Sequence, residues 1–273
     1  MGKTLLLLSG GADAAQIARH IRELGHTVVV SDGDPQAPAF ALADSCLIAD
    51  VQGASETAAA AERYNRKIRK IDGVLCAADA AFTAATIADR LRLPGLPLHV
   101  AELVRDRLGI ARCFQSAGIA APWQAEVSTP QELQRIAIAK GRGLAVKPLE
   151  NRGSDGVQRL TEVEDFAAAF LQARAHSASE RVVAVQELEG PRTTLASFML
   201  GGICHVAGTP DNALREIAGR AASALGISDG PVMVEIVTHQ SAPHVTGISA
   251  RLGGGAFLDA AIALALGETP QLP

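Results

Sequence analysis

The chain has 273 residues, of which 48% are hydrophobic and 20% charged, with a formal net charge of −4. That balance belongs to a globular protein of one large or two ordinary domains, and it excludes a disordered chain and a net basic field that would attract nucleic acid. Aromatic residues make up 3%, with the single tryptophan Trp123 and the single tyrosine Tyr64, so a nucleic-acid strand finds no stacking platform.

The opening "MGKTLLLLSGG" has too short an apolar run for a signal-peptide core or a spanning helix, and no later run approaches the ~20 residues a membrane helix needs. A membrane partner is therefore not expected. Cys46, Cys76, Cys113 and Cys204 form no C-x-x-C pair, which implies neither a zinc site nor a disulfide framework, and a reducing cytoplasm is the expected compartment.

In chain order, "KTLLLLSGG" (3–11) reads as a buried parallel strand ending in a glycine turn. The next segment (12–25) reads as a helix with Ile17, Ile21 and Leu24 on one stripe and Gly25 at its stop. A strand over 26–35, a helix over 55–70, a strand over 71–79 and a helix over 81–93 continue the alternation, which predicts a parallel sheet of Rossmann type over residues 1–95. "PGLPLH" (94–99) is the candidate boundary. A helix is predicted over 101–118, followed by the extended "IAAPW".

From there strand pairs replace the alternation. "GLAVKPL" and "GVQRLTEV" flank a Gly-Ser-Asp-Gly turn, and a helix over 164–176 leads to "RVVAVQELEG" and to "RTTLASFMLGG" with "ICHVAG". A helix over 212–226, the pair "PVMVEIVTH" and "PHVTGISARLGGG", and a final helix complete the chain. Hairpins with interposed helices predict an α+β second domain over 96–273, with a glycine-loop part near 112–188 and a closing part near 189–273.

Two glycine turns invite a ligand. "SGGADAA" (9–15) stands where a dinucleotide fingerprint would, with Asp32 or Asp34 near the place of a ribose-binding acid, but its glycines do not follow G-x-G-x-x-G. A plain βα turn is the favoured reading, and a nicotinamide enzyme the minor one. The second turn follows Lys147, the reverse of the glycine-then-lysine order of a Walker loop.

A strand-end lysine, a mobile glycine turn and downstream acids are the parts a nucleoside triphosphate needs. Lys147 would meet the phosphates, with Gly153, Ser154 and Gly156 as their lid. Glu187 would meet the adenine edge, Glu235 would hold Mg2+, and Arg251 would neutralise charge on a transferred phosphoryl group. Taken singly, Lys147 also reads as a solvated strand-end charge, Glu235 as a solvent-facing residue on an alternating strand, and Arg251 as a cap on a carboxylate.

Their order resembles the ATP-grasp superfamily of carboxylate–amine and carboxylate–thiol ligases over nearly the whole chain. "RDRLGIARCFQSAGIAAPW" is similar to the family's Asp-Lys helix and its exit, with Arg107 in place of the lysine. "AVKPLENRGSDGV" is similar to the Lys-Pro strand and glycine loop, "VQELEG" to the adenine hinge, and "HVTGISARLGGG" to a closing strand that normally reads Glu-x-Asn-x-Arg-x-Gly-Gly. Gly247 and Ser249 replace the Glu and Asn of that strand.

The resemblance implies a Rossmann-like preceding domain, ATP and Mg2+ as cofactors, and small-molecule carboxylate and amine substrates joined through an acyl phosphate. A second copy of the chain is the candidate protein partner. The alternative, favoured by Gly247, is a relative that binds nucleotide or a partner subunit without turnover.

Overall fold

The computed structural model describes residues 2–141, 143–149, 156–160, 165–177, 179–208 and 211–273. The chain packs as two compact units, the first built from Met1–Glu102, Thr194–Val234 and Ile248–Pro273, the second from Leu103–Thr193 and Glu235–Gly247.

The chain begins with β1 (Thr4–Leu8), α1 (Ala12–Glu23), β2 (Thr27–Asp32), a 3-10 turn (Pro38–Leu42), β3 (Ser45–Ile48), α2 (Ala54–Lys67), β4 (Gly73–Cys76) and α3 (Ala81–Leu91). The four strands form a parallel sheet in the order β3-β2-β1-β4, with Leu6 of β1 opposite both Val29 and Val74. All five side chains of β1 are buried, as a parallel strand covered on both faces requires.

Alternate residues choose opposite covers. Leu5, Leu7, Val28 and Val30 pack with Ile17 and Ile21 of α1, while Leu6, Leu8 and Val29 pack with Ala58, Ala61 and Tyr64 of α2 and Ile87 of α3. Each leucine so buried is worth roughly 1.5–3 kcal/mol. Leu24, expected on the α1 stripe, is instead 47% exposed, because it is the residue that ends the helix. The edge strand β3 lay outside the expected elements; its residues alternate between half-buried and exposed.

The first glycine turn is occupied by the protein itself. The Asp32 carboxylate accepts from Gly10 N at 2.6 Å and from Asp34 N at 2.9 Å, so its two oxygens tie the β1–α1 turn to the end of β2. A Cβ at Gly10 would stand 2.5 Å from the Ala37 Cβ, which makes this glycine a packing requirement.

The predicted single helix over 101–118 is two helices, α4 (Leu98–Leu103) and α5 (Arg107–Ser116). The break is at Asp106, whose extended backbone and side chain, accepting from Leu108 N at 3.0 Å, start α5 afresh. β5 (Gln124–Val127), α6 (Pro130–Lys140), β6 (Leu144–Pro148), β7 (Gln158–Arg159), α7 (Phe166–Ala175) and β8 (Val182–Gln186) follow.

The sheet β5-β8-β6-β7 is antiparallel and buries Val146, Val182 and Ala184 against Leu133 of α6 and Phe170 of α7. Of the expected strand "GVQRLTEV", only Gln158–Arg159 is β7; residues 161–164 lie outside the described residues. β5 and α6 extend the sequence expectation.

The chain closes with β9 (Arg192–Leu200), β10 (Ile203–Val206), α8 (Asn212–Ala224), β11 (Gly230–His239), β12 (Ala242–Ser249) and α9 (Leu258–Ala265), the strands ordered β10-β9-β11-β12. β9 and β10 join through Gly201-Gly202, at φ 57° and 80°. Leu258 and Ile262 of α9 belong to the same core as Leu5 and Leu7. No helix among the described residues is long and apolar enough to cross a membrane.

Candidate functional site

Lys147 is the fourth residue of β6, between the buried Val146 and Pro148, and pairs in register with Val183 of β8. Its stem starts from the interior of a hydrogen-bonded sheet, so the ammonium has a fixed origin. Burial pushes its pKa down from the usual 10.5, and Arg107, Arg192 and Arg159 push it the same way, while Glu187 opposes them. Among the described residues the field on Lys147 therefore comes from three cations and one acid.

Each member is held by a separate element. Arg107 opens α5 behind its cap Asp106, and its carbonyl accepts from Gln124 Nε2 at 3.1 Å. Glu187 follows β8, with its backbone N donating to Gly143 O at 2.7 Å. The Glu187 carboxylate accepts from Arg159 Nε of β7 at 3.1 Å. Arg107 and Glu187 thus both act electrostatically on Lys147, and so does Arg159, which sequence reasoning passed over. Its signal was a basic residue three positions past the expected start of the strand that follows the glycine turn.

Gly156 has φ 71°, and a Cβ there would stand 2.7 Å from the His176 Cβ and 2.9 Å from Pro148 Cγ. Both backbone conformation and space demand glycine, independently of any ligand. Gly153 and Ser154 lie outside the described residues.

Glu235 is exposed on β11. A Cβ built on Gly247 of β12 would stand 2.9 Å from Glu235 Oε2, so a side chain at that position would point at this carboxylate. Among the described residues no group of three or more His, Cys, Asp or Glu side chains is placed to hold a metal ion. Glu235 is also not among the charges acting on Lys147.

Arg251 belongs to the first unit, where its Nε lies 3.4 Å from Asp79 Oδ1 and its Nη1 donates to Leu252 O at 3.4 Å. Sequence reasoning did not foresee Asp79, which lies 172 positions upstream in the loop after β4.

No family model matches the chain. The D-alanine–D-alanine ligase of Methylococcus capsulatus is 30% identical over 115 residues, which are 41% of this chain and 36% of that protein. The chain spans about a third of the length of the curated relatives it matches.

An L-amino acid ligase from Bacillus licheniformis superposes with a TM-score of 0.79 at 21% identity, covering 99% of this chain and 75% of that one. N5-carboxyaminoimidazole synthetase from Staphylococcus aureus, solved with ADP, gives 0.78 at 16% identity, covering 100% and 79%. The chain has the fold shared by these ligases. Relatives and neighbours together point to the ATP-grasp superfamily.

Proposed function

We propose that the chain binds ATP at the Lys147 cluster and works as an ATP-dependent carboxylate–amine ligase. The observation that carries the reading is the charge balance at Lys147: among the described residues Arg107, Arg192 and Arg159 act on it together with one acid, Glu187, and an excess of cations suits the chemistry of a triphosphate. In this reading residues 1–95 are the Rossmann-like preceding domain and 96–273 the ATP-grasp domain. Arg107 and Lys147 hold phosphates, Gly153, Ser154 and Gly156 belong to the turn over them, and Glu187 serves the adenine edge once nucleotide loosens its pairing with Arg159.

A substrate carboxylate oxygen attacks the γ-phosphorus and ADP leaves; an amine then attacks the acyl carbon, phosphate leaves, and the amine gives up a proton. Arg251 neutralises charge on the transferred group. The residues fit Mg2+ only in part. Glu235 supplies one carboxylate, enough for an ion that arrives on the nucleotide phosphates, since Mg2+ takes just one or two carboxylates in such sites. When bound, the ion spreads the charge of the phosphoryl group.

Gly247 supports a second reading, nucleotide binding without turnover, because the position facing Glu235 carries no acid. Phosphate release from ATP, measured with a panel of amino acids and other small carboxylates, separates the two. Release that requires both a carboxylate and an amine supports the ligase. Tight ATP binding with no release for any pair supports the second reading, and absence of ATP binding sinks both.

A further inference from the structure

Within the first unit a cavity of about 350 Å³ lies beside β4, the edge strand of the parallel sheet. Its wall is mainly apolar, with Val74 of β4, Ala84 and Ala88 of α3, Ile227 after α8 and Leu264 of α9. Among the described residues Arg251 is the one cation on that wall. We propose that this cavity takes the body of a small aliphatic carboxylate whose carboxylate group pairs with Arg251. The inference rests on the ligase reading for its meaning, because it assigns a class to the acid that the reaction would activate.

Three observations converge. The first is shape. Small side chains on α3 and α9 leave a space at the lower end of the range for small-molecule pockets, suited to a short alkyl chain. The second is polarity. Apart from Arg251, the polar side chains on the wall are Asp229 and Cys76. Asp229 Oδ1 accepts from Gly201 N at 2.8 Å and Cys76 Sγ donates to Ala78 O at 3.0 Å, so these two already have partners within the protein. A hydrocarbon body therefore suits the space better than a hydroxylated one.

The third is the hold on Arg251. Its contacts to Asp79 and to Leu252 O are both 3.4 Å, at the long limit for hydrogen bonds. A ligand carboxylate engaging the guanidinium fork at shorter range would compete well with them.

The test titrates the full chain with octanoate, acetate and 1-octanol by calorimetry. Octanoate should bind saturably and at least tenfold tighter than either acetate, which lacks the tail, or 1-octanol, which lacks the charge. Ala84→Leu, which fills the cavity from a partly buried helix position, should weaken octanoate at least tenfold and leave ATP affinity unchanged. Arg251→Gln should reduce octanoate to the level of 1-octanol, and it serves if the leucine variant fails to fold.

Octanoate binding no tighter than acetate or 1-octanol, or unaltered by both substitutions, overturns the proposal. Lys147→Ala separates this failure from failure of the nucleotide reading: it should weaken ATP about fivefold or more and leave octanoate unchanged. A wild type that binds octanoate but not ATP sinks the nucleotide reading alone, and the converse sinks this inference alone.

Discussion

Two places in the second unit carry the residues expected at a nucleotide site, and they are furnished very differently. Near the end of β6, Lys147 feels three arginines and a single acid among the described residues, in surroundings buried enough to lower its pKa. On β11 and β12, Glu235 is exposed and faces a glycine. Among the described residues the charges acting at the first place are mostly basic, a balance that suits an incoming polyanion. The second holds a lone carboxylate, so a divalent ion gains little there until phosphate oxygens bring further ligands. Binding and turnover thus draw on separate groups, and one can be strong while the other is weak.

Gly156→Val breaks the comparison most severely, by removing the framework of the cationic side. A β-branched residue at φ 71°, with its Cβ inside contact distance of His176 and Pro148, should cost about 3 kcal/mol or more, from backbone strain and overpacking together. Denaturant unfolding with a midpoint equal to wild type would show that the turn is looser than its packing implies.

Gly247→Glu sharpens the acidic side. Without metal, two facing carboxylates should destabilise the sheet by roughly 0.2–1 kcal/mol. With ATP present, Mg2+ should bind about tenfold tighter, the gain of one more oxygen ligand. Stability curves and Mg2+ titrations check the two signs. A variant whose Mg2+ affinity matches wild type would mean that another acid already supplies the ligand.

The smallest effect is a pH dependence. Lys147 has a folded pKa below its unfolded 10.5, so between the two values the unfolded chain binds the extra proton and stability rises with pH. Lys147→Met should therefore be slightly more stable than wild type at neutral pH, with the difference shrinking as pH approaches 10.5. A difference that grows with pH would reverse the assigned direction.

The parallel sheet was legible because its strands are continuous apolar runs and its helices carry one buried stripe. What escaped was decided by short-range chemistry. Asp106 splits a segment whose apolar periodicity reads straight through it. α6 was announced by Thr129, Pro130 and Glu132, where Thr129 accepts from Glu132 N at 3.1 Å and Glu132 accepts from Ser128 N at 2.8 Å, yet this cap pattern is easily passed over in a polar stretch.

At the site, Lys147 and Glu187 could be named from their order along the chain, because strand ends recur at predictable places. Asp79 as the partner of Arg251 could not, since an ion pair across 172 positions leaves no periodic trace. Nor could the packing demand on Gly156, which comes from His176 on another element.

The central claim is that the Lys147 cluster binds the phosphates of ATP. Calorimetric titration of wild type and Lys147→Ala with ATP and with adenosine tests it most directly. The substitution should weaken ATP by about 1–3 kcal/mol, the range for a charge-assisted hydrogen bond, and leave adenosine nearly unchanged. Equal ATP affinity in the two proteins, or equal losses for both ligands, would contradict it.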